Sequence, residues 1–149
     1  MAVLKEIITN SPEETEAVGY QIAELIKNDL SVPSFIALYG DLGVGKTAFV
    51  RGFAKVFSPN ALVRSPTFAL VNEYPSVLNR RVFHFDMYRI TDEDDLYSIG
   101  FYDYLDSGEL CIAEWCELIP FALPDEYIKV EILKLDDGDN RQINISKIS

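Results

Sequence analysis

The eight residues Gly40-Asp41-Leu42-Gly43-Val44-Gly45-Lys46-Thr47 constrain this chain more than any other stretch. They follow Phe35-Ile36-Ala37-Leu38-Tyr39, a short continuous apolar run of the kind a buried parallel strand shows. They precede residues 48–57, whose apolar positions recur at helical spacing. A strand, a glycine-rich turn and a helix are therefore written in order, and the turn fits G-x-x-x-x-G-K-[ST]. Glycines let the backbone approach an anion closely. The loop amides and the N-terminus of the next helix then point at that anion. Lys46 is placed to reach the β- and γ-phosphates of a nucleotide, and the Thr47 hydroxyl to ligate Mg²⁺. Asp41, Leu42, Gly43, Val44, Gly45, Lys46 and Thr47 are thus the expected nucleotide contacts.

The 149 residues suffice for one domain, 1–149, with a proper core. No apolar run is long enough to span a membrane, and the first residues lack the apolar centre of a signal peptide, so a cytoplasmic location is expected. The net charge of −11 makes the chain a poor grip for nucleic-acid phosphates. Any work in a nucleic-acid pathway should pass through a protein partner. Two cysteines, Cys111 and Cys116, and one histidine, His84, do not make a zinc site. Cys111 lies in an apolar run and reads as a buried strand residue.

Along the chain, residues 4–9 read as a strand. Ser11, Pro12 and Glu14 then read as a capped helix start. Ser58-Pro59-Asn60 breaks the helix that follows the glycine-rich turn. Residues 68–74 and 80–86 read as a hairpin around a turn at 75–79. An acid-rich helix is expected to start at Thr91-Asp92 and to end at Gly100. Residues 110–113 form a second continuous apolar run, closed by Glu114, and residues 127–135 and 142–148 alternate like paired strands. The expected fold is α/β, a three-layer sheet of the P-loop nucleotidase kind, with parallel core strands and antiparallel additions.

A phosphate loop of this type needs an acid at the end of a neighbouring strand for Mg²⁺. Glu114 ends a run without alternation, the pattern of a central parallel strand, and is the better metal-side acid. Asp86 ends a segment that reads as half-exposed. It is either the group that orients the attacking water or a carboxylate capping the strand end locally. A base-reading N-K-x-D motif is absent, which argues against a GTPase. Between Asp86 and Glu114 the chain is strongly acidic with Arg89 its one basic residue, so the basic lid of a small-molecule kinase is missing. A small ATPase or an ATP-switched binding module remains, with a P-loop kinase as the weaker alternative.

An ordered set of motifs sharpens this. The loop is followed by Arg51-Gly52-Phe53, then Ser65-Pro66-Thr67-Phe68 leading into Leu70-Val71-Asn72-Glu73-Tyr74. Next come His84-Phe85-Asp86-Met87-Tyr88-Arg89, Ile99-Gly100 with Asp103-Tyr104, and Glu114-Trp115. In this order and spacing the chain resembles the TsaE (YjeE) family, small P-loop ATPases needed for threonylcarbamoyladenosine (t6A) modification of bacterial tRNA. The resemblance implies that ATP and Mg²⁺ are the cofactors, with Thr47 and Glu114 as metal ligands. It implies that Asp86 is the catalytic acid, acting with Lys46. Ser65 and Thr67 belong to a segment similar to the family's γ-phosphate sensor, and Trp115 matches a tryptophan important for activity. It further implies weak ATPase activity alone, and two partners: the threonylcarbamoyl transferase and its inactive paralogue (TsaD and TsaB type). ATP hydrolysis would reset that complex, and tRNA would be met only indirectly. Met87 and Ile90 stand where leucines are usual, and Cys116 follows the tryptophan where proline or a small residue is common.

Overall fold

The computed structural model describes residues 1–149 apart from Leu42, residues 67–69 and Asn79. Strand β1 (Ala2–Thr9) begins two residues earlier than the sequence pattern suggests. It leads into helix α1 (Pro12–Asn28). Ser11 caps that helix by accepting from the Glu14 amide at 3.1 Å. The Glu14 carboxylate reaches back to the Asn10 amide at 2.7 Å, one residue further than a simple capping box.

Strand β2 (Phe35–Tyr39) and helix α2 (Lys46–Phe57) flank the glycine-rich turn. The hairpin pair is β3 (Val71–Tyr74) and β4 (Val82–Asp86), joined antiparallel. Two short helices follow, α3 (Glu93–Ser98), capped by Asp92, and α4 (Phe101–Asp106), broken apart at Gly100. Strand β5 (Leu110–Glu114) precedes two single turns of 3₁₀ helix, and β6 (Tyr127–Lys134) and β7 (Arg141–Ile148) close the chain as an antiparallel pair.

Among the described residues the strands form one sheet in the order β1-β7-β6-β2-β5-β4-β3. Strands β6, β2, β5 and β4 run parallel to their neighbours in that row. Strands β1, β7 and β3 are joined antiparallel at the two sides. The parallel centre and its antiparallel additions are those expected.

Period-two alternation along β2, β4 and β5 divides the core between two faces. One face carries Ile36, Leu38, Val82, Leu110 and Ile112 against α1 and α2. The other carries Phe35, Ala37, Phe83, Phe85, Cys111 and Ala113 against α3, α4 and the 3₁₀ turns. Layers of helix lie on both faces of the sheet, as a parallel sheet requires. Phe49, Phe53 and Phe57 of α2 are fully buried on the first face, and each such ring stabilises the fold by roughly 1.5–3 kcal/mol.

The two helices of that layer touch backbone to backbone. A Cβ on Gly52 would lie 1.8 Å from the Glu16 carbonyl oxygen, and one on Gly19 would lie 2.1 Å from that of Phe49. This seats α2, and the turn that starts it, firmly against α1.

One expectation is overturned. All five residues of β4 are buried, so Asp86 does not end a half-exposed segment. The polar His84 and Asp86 made the strand look amphipathic, but both face inward. Met87, Ile90 and Cys116, the positions where the chain departs from its resemblance, are all buried. Among the described residues no helix is long and apolar enough to cross a membrane.

Candidate functional site at the carboxyl ends of the parallel strands

The turn after β2 emerges at the carboxyl edge of the sheet. Its first residue, Gly40, lies against the neighbouring strand, and a Cβ there would come within 2.8 Å of the Ile132 carbonyl oxygen. Gly45 takes a φ of +109°, a left-handed value that glycine tolerates, and this turns the chain into α2. The turn is held from outside itself. Arg141 Nε donates to the Val44 carbonyl at 2.8 Å, and Val44 drops its side chain into the core. Asp41 is exposed. Val44 can therefore serve an anion by its backbone alone. Leu42 and Thr67 lie outside the described residues.

Lys46 and Thr47 open α2. Lys46 is 5% exposed, donates to the Gly40 carbonyl at 2.7 Å, and lies 3.7 Å from the centre of the Trp115 ring. Burial pushes its pKa below the ordinary lysine value, and the carboxylates of Glu114, Glu117, Asp86 and Asp41 oppose the shift. The ammonium thus sits in an acidic surrounding that holds its charge in place.

Asp86 and Glu114 are direct register partners at the ends of the adjacent parallel strands β4 and β5. Both are buried and both point to the face that carries α2. Asp86 accepts from the Tyr88 amide at 2.9 Å through Oδ1, and Ser65 Oγ approaches Oδ2 at 3.4 Å. Glu114 is bound through Oε2 to His84 Nε2 at 2.5 Å.

A cavity of about 580 Å³ opens between these groups. Gly43, Gly45, Lys46 and Thr47 form one wall, and Ser65, Asp86 and Glu114 another. Trp115 and Tyr88, with ring centres 5.1 Å apart, form a third. The structure therefore brings Lys46, Thr47, Ser65, Asp86, Glu114 and Trp115 around one space. Hydroxyl and carboxylate oxygens facing a buried ammonium and a helix N-terminus can hold a phosphate chain together with a hard cation.

On the other side of the turn a smaller cavity, about 140 Å³, lies between Pro12 and Thr15 of α1, Asp139 of the β6–β7 connection and Arg141 at the start of β7. The sequence did not assign Tyr88, Arg141 or the His84 contact to the site. Tyr88 stands two residues after Asp86 in the motif from His84 to Arg89, which gives it no role of its own. Arg141 is 97 positions from its partner Val44, and nothing local reports such a contact.

The family model of the threonylcarbamoyl adenosine biosynthesis protein TsaE matches residues 9–143. The tRNA threonylcarbamoyladenosine biosynthesis protein TsaE of Bacillus subtilis is 36% identical over 141 residues, covering 94% of this chain and 84% of the relative. That of Aquifex aeolicus is 38% identical, covering 97% and 98%. The crystal structure of Bacillus subtilis YdiB superposes with a TM-score of 0.78 at 30% identity, over 100% of this chain and 89% of that one. With sequence and fold matched over nearly their whole lengths, the chain belongs to the TsaE family.

Proposed function

We propose that this chain binds and hydrolyses ATP with Mg²⁺ as a subunit required for t6A modification of tRNA, and that hydrolysis resets the threonylcarbamoyl-transferase complex. The observation that supports this most is the register pairing of Asp86 with Glu114, which sets two buried carboxylates opposite Lys46 and Thr47 across one cavity. The names of the relatives support the pathway.

The residues present fit Mg²⁺. The ion accompanying a nucleotide is held by one or two protein oxygens, with water and phosphate completing an octahedron. Thr47 and Glu114 line the cavity and would supply such oxygens, Glu114 through Oε1, since Oε2 is bound to His84. When bound, the ion neutralises charge developing on the phosphate oxygens.

The chain's own groups do the rest. The amides of residues 41–45 and the start of α2 hold the phosphates. Lys46 leaves the Gly40 carbonyl for the β- and γ-oxygens. Asp86, backed by the Tyr88 amide, accepts a hydrogen from a water and aims its lone pair at the γ-phosphorus. The bond from that phosphorus to the bridging oxygen breaks as the new one forms, and ADP leaves. Ser65 and Thr67 sense the γ-phosphate, and Trp115 with Tyr88 walls off bulk water. The base end of the nucleotide extends toward the smaller cavity beside Thr15 and Arg141.

The partners in this reading are proteins of the TsaD and TsaB type, with tRNA met through them. This suits a chain of net charge −11. The reading carries a cytoplasmic location. The test is ATP hydrolysis and multiple-turnover tRNA modification in the reconstituted complex. Sustained turnover with a non-hydrolysable analogue would replace the hydrolytic reset by a binding switch. Transfer of the γ-phosphoryl group to an acceptor other than water would make the chain a kinase.

A further inference from the structure

His84 is fully buried, yet both of its ring nitrogens are engaged. Nε2 meets Glu114 Oε2 at 2.5 Å, and Nδ1 meets Tyr74 Oη at 2.9 Å. The phenol oxygen in turn lies 3.2 Å from the carbonyl of Arg64 and 3.4 Å from its amide. An ionised Glu114 only accepts, so Nε2 carries the hydrogen of that bond. Tyr74 has one hydrogen and two acceptors in reach, His84 Nδ1 and the Arg64 carbonyl. Asn72 Nδ2 also donates to that carbonyl at 3.1 Å, so the carbonyl stays satisfied when the phenol turns to His84. The row runs across β3, β4 and β5 and ends on the segment whose next residue, Ser65, approaches Asp86.

We infer that His84 is a positioning residue, which fixes the Glu114 carboxylate toward Lys46 and Thr47 and ties its orientation, through Tyr74, to the Arg64–Ser65 segment. This rests on the assignment of Glu114 to the metal in the proposed function. A histidine packed for its volume alone would need neither bond. A carboxylate with a free rotor would spend part of its time turned from the site, whereas the bond at Oε2 fixes the group at the wall of the cavity that Glu114 lines and would leave Oε1 for the ion.

The experiment titrates Mg²⁺ against binding of a fluorescent ATP analogue, without reference to turnover. Asparagine can stand in for Nδ1 and glutamine for Nε2. His84→Asn should raise the Mg²⁺ concentration for half-maximal effect by about 10–100-fold, the usual scale for removing a group that orients a metal ligand. Its nucleotide affinity in chelator should stay that of the parent. His84→Gln should restore most of the Mg²⁺ response, and Tyr74→Phe should shift it in the same direction as His84→Asn but less. Glu114→Gln is the control. If it moves the Mg²⁺ response while His84→Asn and Tyr74→Phe do not, the inference is overturned and the metal assignment stands. Equal loss in His84→Gln and His84→Asn, tracking their thermal midpoints, also overturns it in favour of packing. A Glu114→Gln protein with the parental Mg²⁺ response overturns the metal assignment and the inference with it. Should His84→Asn not fold, Tyr74→Phe decides alone: a parental Mg²⁺ response in that variant is the overturning result.

Discussion

The Lys46 ammonium lies 3.7 Å from the centre of the Trp115 ring, over a residue whose own backbone is left-handed at φ +61°. A cation held on an aromatic face is favourable by roughly 0.5–2 kcal/mol, and a non-glycine residue at positive φ needs surroundings that hold it there. The lysine is thus parked between the ring and the Gly40 carbonyl, and in the proposed function an arriving phosphate draws it away. Trp115 is the one tryptophan of the chain, so its emission reports the move. ATP should change the emission of the parent and leave that of Lys46→Ala unaltered at the same concentration. Lys46→Ala should bind ATP on the order of 10–100-fold more weakly, the equivalent of one charge-assisted hydrogen bond. Isothermal titration measures the second quantity. Parental affinity in Lys46→Ala would take the lysine out of phosphate binding.

Asp86 is held by the Tyr88 amide and approached by Ser65, so under the proposed function its removal would cost the attacking water its acceptor without touching the turn assigned to the phosphates. Asp86→Ala should keep ATP affinity within a few-fold and lower turnover in the partner complex by about 10²–10⁴, the range for a positioned general base. Single-turnover hydrolysis with equilibrium binding separates the two effects. A loss of binding equal to the loss of turnover would assign Asp86 to the ground state.

Much of this was legible because neighbouring residues carry it. The turn at residues 40–47, its flanking elements, the Ser11 cap and both hairpins follow from local patterns. That Glu114 closes a buried inner strand could be read from its apolar run alone. Asp86 was misjudged as half-exposed because His84 and Asp86 are polar at alternate positions, the pattern of a wet strand face. The sequence does not state which strands are neighbours. Only the parallel register of β4 on β5 puts Asp86 beside Glu114 and brings His84 within reach of it. The Arg141–Val44 and Tyr88–Trp115 contacts are hidden for the same reason.

Gly52 allows the close crossing of α1 and α2. An alanine Cβ there would overlap the Glu16 carbonyl oxygen at 1.8 Å and its carbon at 2.5 Å, both backbone atoms that cannot swing aside. Gly52→Ala should destabilise the fold by about 1–3 kcal/mol, as overpacking of a tight contact does. Because α2 starts at Lys46, ATP affinity should fall with it. Gly138→Ala is the control: it lies in the exposed β6–β7 connection, where the nearest atom is the movable Asp136 Oδ1 at 3.3 Å. Urea denaturation of the two variants should separate them, and equal midpoints would show that the helices can part at no cost.

The thiols are shielded. Cys111 and Cys116 are both buried and unpaired, and burial pushes the Cys111 thiol up to about 12 and that of Cys116 higher still. At pH 8 neither should react with Ellman's reagent in the folded protein, and both should react in denaturant. Stability carries the same sign. In the unfolded chain the thiols ionise near their ordinary value of 9.0, while in the folded chain they keep their protons. Below pH 9 the two states bind the same protons and nothing is lost. Between pH 9 and 12 only the unfolded state ionises, so stability falls as pH rises, by up to about 1.4 kcal/mol per pH unit for each thiol. Cys111→Ala removes one of these groups. It should start less stable at pH 8, from the lost packing, but lose stability less steeply than the parent from pH 9 upward. Urea midpoints at a series of pH values give both slopes, and parallel lines would mean that the Cys111 thiol ionises as freely in the folded chain as in the unfolded one.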